Sequence, residues 1–430
     1  MLRSLVLASI ALSLSLPARA QAPATPNAPV TPAASQSARD VLAHARPAVI
    51  QIKSFFGSNT AQSSHGTGFA VSEGGVFMTN YHVVAERVQN PGKYRLEYRT
   101  ADGETGAIAV LAVDVRHDLA LVRATGYAPA PLKLQLSTPV KGDRAYSVGF
   151  PLDVGLTITE GISNGKIEDS FEPRIHYSGA INAGMSGGPA LNGAGEVIGV
   201  NVSGYRFEQL VSFLVPVAHA DALHRRALGP ESDGGPRKEA AAQMQAHSVE
   251  LLQALAGPMQ TQAVAGYSLP ARIAPFVNCN ATGSPVTEDP VQTVHVRCMA
   301  KAGLYVQQGL YSGDLRYSHY VLTTDRLDAW RFASRLSSLT QAVGNYGSPR
   351  HVGPYACEDR VVGLKGFDAS MLVCARRYRR LDRLYDFTVR VSSLNGSRHG
   401  FASHLDMYGL EFKPGMEFIR RYVEAMEWKP

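Results

Sequence analysis

Cysteine is missing from the first 278 residues of this 430-residue chain, and the only four are Cys279, Cys298, Cys357 and Cys374. None of their spacings is C-x-x-C and no histidine stands near them at a ligand spacing, so no metal site is expected. Charge is scarce as well. Only 18% of positions are charged, and 42 Lys and Arg against 36 Asp and Glu leave a net +6. Without a clustered basic face, that excess does not point to nucleic acid. Long apolar runs are also lacking: outside a short N-terminal one, no stretch reaches the ~18 residues of a membrane span. H-E-x-x-H is absent, which removes support for zinc peptidase chemistry. Gly165-Lys166-Ile167 lacks the Ser or Thr of a phosphate loop, and Gly66 to Val71 lacks the third glycine of a dinucleotide fingerprint. No cofactor is expected.

What is present reads as a globular chain of two or three domains, 45% apolar, with 40 Gly and 25 Pro that imply many turns. Met1 to Ala20 reads as a signal peptide: Arg3, an apolar run from Leu5 to Leu16, then Ala18-Arg19-Ala20. Its removal takes Arg3 and Arg19 away and leaves a charge of about +4. Export follows, to a bacterial periplasm or outside the cell, with no membrane span after cleavage. Residues 21–37 are a flexible Ala/Pro/Thr/Ser spacer. A first domain over 38–228 opens with a helix from Arg39 to Ala45 and continues as closely spaced short strands, which indicates an antiparallel barrel or sandwich. A terminating helix covers Pro216 to Arg226. Residues 229–236 (GPESDGGP) are a linker, and 237–430 form a separate α+β domain with helices at Arg237 to Ala256, Leu327 to Ala342 and Pro414 to Met426.

Three segments of the first domain carry chemistry: Thr79-Asn80-Tyr81-His82-Val83-Val84, His117-Asp118-Leu119-Ala120-Leu121-Val122 and Gly184-Met185-Ser186-Gly187-Gly188-Pro189. A serine hydroxyl is a poor nucleophile at neutral pH. It needs an imidazole to take its proton, and the imidazole needs a carboxylate to fix its tautomer. His82, Asp118 and Ser186 supply these in order, each at an expected strand end or turn. Asp114 is a second carboxylate near the middle position. Gly184 and Gly187 allow a tight turn in which the N–H groups of Gly184 and Ser186 converge as an oxyanion hole.

With their flanks, these segments resemble the trypsin-like serine peptidases, and more narrowly the bacterial HtrA/Deg branch. The resemblance is colinear from about Val41 to Ala227, through Gly66-Thr67-Gly68-Phe69, Gly149-Phe150-Pro151-Leu152, Thr157 to Ser163, Gly195 to Asn201 and Phe213 to Pro216. It implies a mostly β protein: a double β-barrel protease domain, then an α+β domain of no named family. It places Asp118 rather than Asp114 in the triad and leaves His65 and His117 as flanking residues. It puts Ala180 and Ile181 at the base of the primary specificity pocket, Phe213 near its wall, and Val202-Ser203-Gly204 along the substrate as an edge strand. With no charge at these positions, a small or medium apolar residue before the scissile bond is expected. Met185 stands where relatives often carry Asn or Asp, which excludes a zymogen switch through that Asp. The region after Pro230 shows no recognisable PDZ domain.

Two functional classes stay open at this point: an exported serine endopeptidase acting on polypeptides, and a catalytically silent protease-like scaffold. In the C-terminal domain, the even cysteine count and the export expectation predict local disulfides Cys279–Cys298 and Cys357–Cys374. Both pairs are followed by strands and an amphipathic helix, which hints at an internal duplication. Arg376, Arg377, Arg379, Arg380 and Arg383 read as a solvated basic face balanced by Asp382 and Asp386.

Overall fold

The computed structural model describes residues 36–204, 211–229, 234–284, 289–340, 347–394 and 396–429. The expected signal peptide, the spacer up to residue 35 and residues 230–233 of the expected linker lie outside the described residues. The described spacer end is helical rather than flexible: α1 spans Gln36–Ala45 and buries Ala38, Val41 and Ala45 on one face.

Two closed six-stranded barrels follow. The first comprises β1 (Val49–Phe56), β2 (Gln62–Ser72), β3 (Val76–Thr79), then helix α2 (Tyr81–Gln89), β4 (Tyr94–Thr100), β5 (Thr105–Asp114) and β6 (Leu119–Ala124). Its strand order is β1-β2-β3-β6-β5-β4. The second comprises β7 (Arg144–Gly149), β8 (Thr157–Lys166), β9 (Ile175–Tyr177), β10 (Pro189–Leu191), β11 (Val197–Gly204) and β12 (Ser212–Pro216), in the order β10-β11-β12-β9-β8-β7. Closure explains why β3 and most of β6 are buried along their length instead of alternating. One apolar core runs through the first barrel and reaches Tyr146, Val148, Leu191 and Val200 of the second.

Helices α3 (Val217–Ala227) and α4 (Gly235–Ala254) come next, so α4 begins inside the expected linker. The 20-residue α4 is shared between the two halves. Ala240 and Met244 join the core of the first barrel, whereas Leu251 and Leu252 join the C-terminal core. Residues 36–430 accordingly form one compact unit.

The C-terminal half holds β13 (Thr261–Val264), β14 (Tyr267–Pro270), β15 (Val277–Gly283), β16 (Gln292–Ala300), β17 (Leu304–Gln307), β18 (Leu310–Ser312) and β19 (Asp314–Thr323). After α5 (Ala329–Ser338) come β20 (Ala356–Leu364), β21 (Phe367–Arg377), β22 (Leu384–Ser393), β23 (His399–Glu411), α6 (Phe412–Glu424) and β24 (Glu427–Trp428). Helix α5 starts at Asp328, whose side chain accepts from the Arg331 N–H at 2.9 Å; Ala342, its expected end, lies outside the described residues. A seven-stranded sheet runs β15-β16-β19-β23-β22-β21-β20, so the terminal strands are β15 and β20. Each terminal strand is stapled to its neighbour. Cys279 faces Cys298 and Cys357 faces Cys374 directly across the ladder, and both pairs are disulfide-bonded. Unpaired strand edges invite foreign pairing, and the cross-links hold these hairpins closed. The arginine run is not one solvated face. Arg376 is buried against Asp386 at 2.8 Å, Arg379 holds the Pro349 and Val352 carbonyls, and Arg380 reaches Asn90 of the barrel half.

Candidate active site

His82 is the second residue of α2, not a strand-end residue as its flanks suggest. A helix start leaves N–H groups unpaired, and here the Asp118 loop takes two of them. Tyr81 N–H donates to the Asp118 carbonyl at 3.1 Å and His82 N–H to Asp118 Oδ1 at 2.9 Å. Asn80, at the cap position, spends its side chain on the same carbonyl, at 2.8 Å. Asp118 is thereby fixed against the helix, at a φ of 58° that L-residues adopt at a cost and Asp tolerates better than most. Its second oxygen meets His82 Nδ1 at 2.7 Å. Burial works against charge on the imidazole, but the Asp118 charge and hydrogen bond outweigh it, so the His82 pKa stands above the ordinary 6.5; the Arg174 guanidinium pulls the other way. The His82 side chain remains 30% exposed, open to a reactant.

Ser186 is carried to this helix by glycines. A Cβ on Gly187 would lie 2.3 Å from Thr79 Oγ1 and 2.7 Å from Asn80 N, and one on Gly66 would meet Val83 at 2.4 Å and the Ser186 carbonyl at 3.1 Å. Only residues without side chains let these backbones approach so closely. The Ser186 hydroxyl donates to the Val202 carbonyl at 3.0 Å, so in this structure it is turned toward β11.

The turn before Ser186 is closed by Met185 N–H on the Asn182 carbonyl at 2.9 Å, with Gly184 at φ 98° in its third position, the signature of a type II turn. The orientation of its central peptide is held from outside. Leu152 N–H donates to the Ala183 carbonyl at 2.9 Å, which aims the Gly184 N–H the opposite way. Thr67 Oγ1 binds the Gly184 carbonyl at 2.7 Å. Among the described residues, the N–H groups of Gly184 and Ser186 have no hydrogen-bond partner. Leu152 and Asp153 themselves sit at positive φ (47° and 62°), anchored by Gln51 and Lys53 on the Asp153 carboxylate at 2.7 and 3.0 Å. Those two hydrogen bonds hold that carboxyl below its usual pKa.

Asp114 has a different partner. His117 N–H donates to Asp114 Oδ1 at 3.1 Å and His117 Nδ1 lies 2.8 Å from Oδ2. The far nitrogen of His117 meets Glu172 at 3.3 Å, and His219 stacks on its ring at 3.7 Å. Burial, and then the neighbouring His117, push His219 down to about 4.

Of the remaining residues singled out in the sequence, Val202, Ser203 and Gly204 form the end of β11; Ser203 and Gly204 pair with Phe213 and Ser212 of β12, while the β10 ladder ends where Pro189 faces Val200, which leaves their other edge without a strand partner among the described residues. The Ala180 carbonyl accepts from Thr159, Ile181 N–H donates to Ser212 Oγ, and the Ile181 side chain packs on the second barrel's core. His65 is not remote: a Cβ on Gly184 would lie 2.7 Å from its Nε2. Residue-by-residue reading passes over Thr67, Leu152 and Tyr305. Thr67 and Leu152 lie inside quoted motifs. Tyr305 carries no sequence signal, yet its ring packs edge-on against His82 at 6.0 Å.

Residues 66–200 match the family model of the trypsin-like peptidase domain. Serine protease HTRA1 of Xenopus tropicalis is 33% identical over 191 residues, which are 41% of this chain and 40% of that one. Serine protease HTRA3 of Homo sapiens is 32% identical over 192 residues, 41% of this chain and 42% of the relative. The chain thus spans about two fifths of the length of the curated relatives it matches. The solved serine endoprotease from Yersinia pestis is 25% identical, with a TM-score of 0.38 over 44% of this chain and 66% of that one. Over residues 66–200 this protein is thus similar to trypsin-like peptidase domains, and over a comparable stretch to the HtrA serine proteases.

Proposed function

We propose that this protein is an exported serine endopeptidase that cleaves polypeptides through an acyl-enzyme. The observation that carries the reading is the conjunction of an Asp118-oriented His82 with a serine whose turn presents two unpartnered N–H groups. Rotation about the Ser186 Cα–Cβ bond takes the hydroxyl from the Val202 carbonyl to the free His82 nitrogen. As Oγ bonds to the substrate carbonyl carbon, its proton passes to that nitrogen, and Asp118 stabilises the imidazolium. The carbonyl oxygen gains the negative charge and lies against the Gly184 and Ser186 N–H groups. The leaving amine takes the proton from His82, and water then repeats the sequence on the ester. The freed Val202 carbonyl and the open edge of β11 suit an extended substrate backbone. Ala180, Ile181 and Phe213 bring no charge, which fits a small or medium apolar residue before the scissile bond.

The silent-scaffold alternative draws on one observation, the Ser186 hydroxyl bound to Val202 instead of His82. A serine-directed fluorophosphonate separates the two. Stoichiometric labelling of the parent chain, abolished by Ser186→Ala and by prior denaturation, supports the peptidase; a folded parent that resists labelling between pH 7 and 9 would overturn it.

A further inference from the structure

The C-terminal half sends one hairpin into the protease half. Strands β17 and β18 pair only with each other and turn at Gly309, whose φ is 73°. Alternation along β17 divides its side chains. Leu304 and Val306 enter the core of the first barrel together with Leu310, while Tyr305, half-buried, packs against the edge of that core, directly across the ladder from Tyr311. The hairpin is bolted to α2, the helix that bears His82. The buried Tyr81 hydroxyl donates to the Val306 carbonyl at 3.0 Å, and Gln89 donates to the same hydroxyl at 2.9 Å. Gln308 N–H donates to Glu86 Oε1 at 2.8 Å, and Asn90 reaches Gln307 at 3.3 Å.

This attachment sets an aromatic wall beside the reacting imidazole. The Tyr305 ring meets His82 at 6.0 Å and 73°, and Tyr311 meets Tyr305 at 5.6 Å and 84°. Both are edge-to-face contacts of the kind aromatic rings favour. Tyr305 is half-buried and Tyr311 is 55% exposed, so the wall slopes from His82 out to solvent.

We propose that Tyr305, with Tyr311 at its rim, forms a substrate subsite beside His82 that receives an apolar side chain flanking the scissile bond, so that the C-terminal domain sets part of the cleavage specificity. The proposal rests on the peptidase reading above. Two rings offer an apolar surface, and burial keeps the Tyr305 phenol protonated far above the usual range. The nearest carboxylates, Asp118 and Glu86, already serve His82 and Gln308 and would repel an acidic substrate residue.

The test uses the full-length chain and two readouts: the labelling rate with a small fluorophosphonate that carries no peptide, and the cleavage profile on a peptide mixture. Tyr305→Ala is expected to flatten an apolar preference at a position next to the scissile bond. It should also lower peptide kcat/KM at least 10-fold more than it lowers labelling, the size of a lost apolar contact of one or two methylenes. Tyr305→Phe should keep the parent profile. Tyr305→Leu, which retains apolar volume and spares the packing of the hairpin, should shift the preference toward larger side chains if the alanine variant does not fold. A profile unchanged in Tyr305→Ala or Tyr305→Leu, a basic preference lost in place of an apolar one, or equal losses in labelling and cleavage would each overturn the subsite. A parent chain that is not labelled at all would instead sink the peptidase reading, and the subsite with it.

Discussion

Two histidine–aspartate pairs take their carboxylates from the same turn, Asp114 and Asp118 four residues apart, and share one local geometry. In each, an Asp takes the backbone N–H of a histidine with one oxygen and its Nδ1 with the other, at 2.9 and 2.7 Å for Asp118 with His82, and 3.1 and 2.8 Å for Asp114 with His117. They differ in what faces the far nitrogen. That of His82 has no hydrogen-bond partner among the described residues and belongs to a side chain left 30% exposed. That of His117 meets Glu172, under a stacked His219 and beside Arg116 and Arg174. The two units thus differ in access and not in local geometry: the His82 imidazole is reachable from solvent, whereas the His117 imidazole is enclosed among ion pairs.

The widest separation between the pairs is expected in turnover. Asp118→Asn should lower it by ~10⁴ through loss of the productive His82 tautomer, whereas Asp114→Asn should stay within about 10-fold of the parent. Single-turnover cleavage of an unfolded protein measures both, and the reverse ranking would exchange their roles.

Stability should show the opposite order. Glu172 is 9% exposed and holds both Arg116 and His117, so Glu172→Gln should destabilise the fold by about 3 kcal/mol in denaturant titrations while the labelling of Ser186 persists in the folded fraction. A neutral Glu172→Gln would show that the second pair is not a joint.

Similar in size is the effect of reduction on the C-terminal sheet. Each disulfide closes a short loop, with sequence separations of 19 and 17, and each contributes about 3 kcal/mol by loop closure. Thiol treatment should therefore raise amide exchange first in β15, β16, β20 and β21, with the cysteine-free barrels protected. Equal loss of protection in both halves would mean that shared helix α4 makes them unfold as one.

The smallest effect, and the most diagnostic, is in pH. His82 must be neutral to act, and Asp118 raises its pKa, so activity should climb with pH through a midpoint above 6.5. At His117, burial opposes charge, but hydrogen bonds to Asp114 and Glu172 outweigh it and raise its pKa. The stabilisation from His117 is therefore full below 6.5 and fades as pH rises through the higher folded value. Asp114 and Glu172 resist burial through the same bonds and are lowered, so their contribution fades only as pH falls through the acidic range. Activity and this share of stability should slope in opposite directions above pH 6.5. Parallel slopes would break the distinction between the pairs.

The protease half was legible because its chemistry is written locally. His82, Asp118 and Ser186 stand in short motifs, and Gly184 and Gly187 mark turns that tolerate no Cβ. Closely spaced strands with frequent turns implied an antiparallel barrel or sandwich, and the even cysteine count together with the expected export implied the two hairpin disulfides. Helix α2 was missed because Tyr81 to Gln89 mixes β-branched and polar residues, and its start is completed by Asp118, 36 residues away. The arginine run looked solvated because nothing in Arg376 to Arg383 shows that Arg376 pairs inward across the sheet while Arg380 reaches another domain.

The sequence by itself determined the chain order of His82, Asp118 and Ser186, the choice of Asp118 over Asp114 through its flanking motif, and the pairing of cysteines 19 and 17 positions apart, since each is carried by a short motif or a short loop. Tertiary structure alone decided which backbones the glycines bring together, which peptide Leu152 orients, and that Tyr305 stands beside the imidazole. Tyr81 and Val306 are 225 positions apart, and the contact between them follows from two independently closed cores meeting along α2 and α4, which no local pattern encodes.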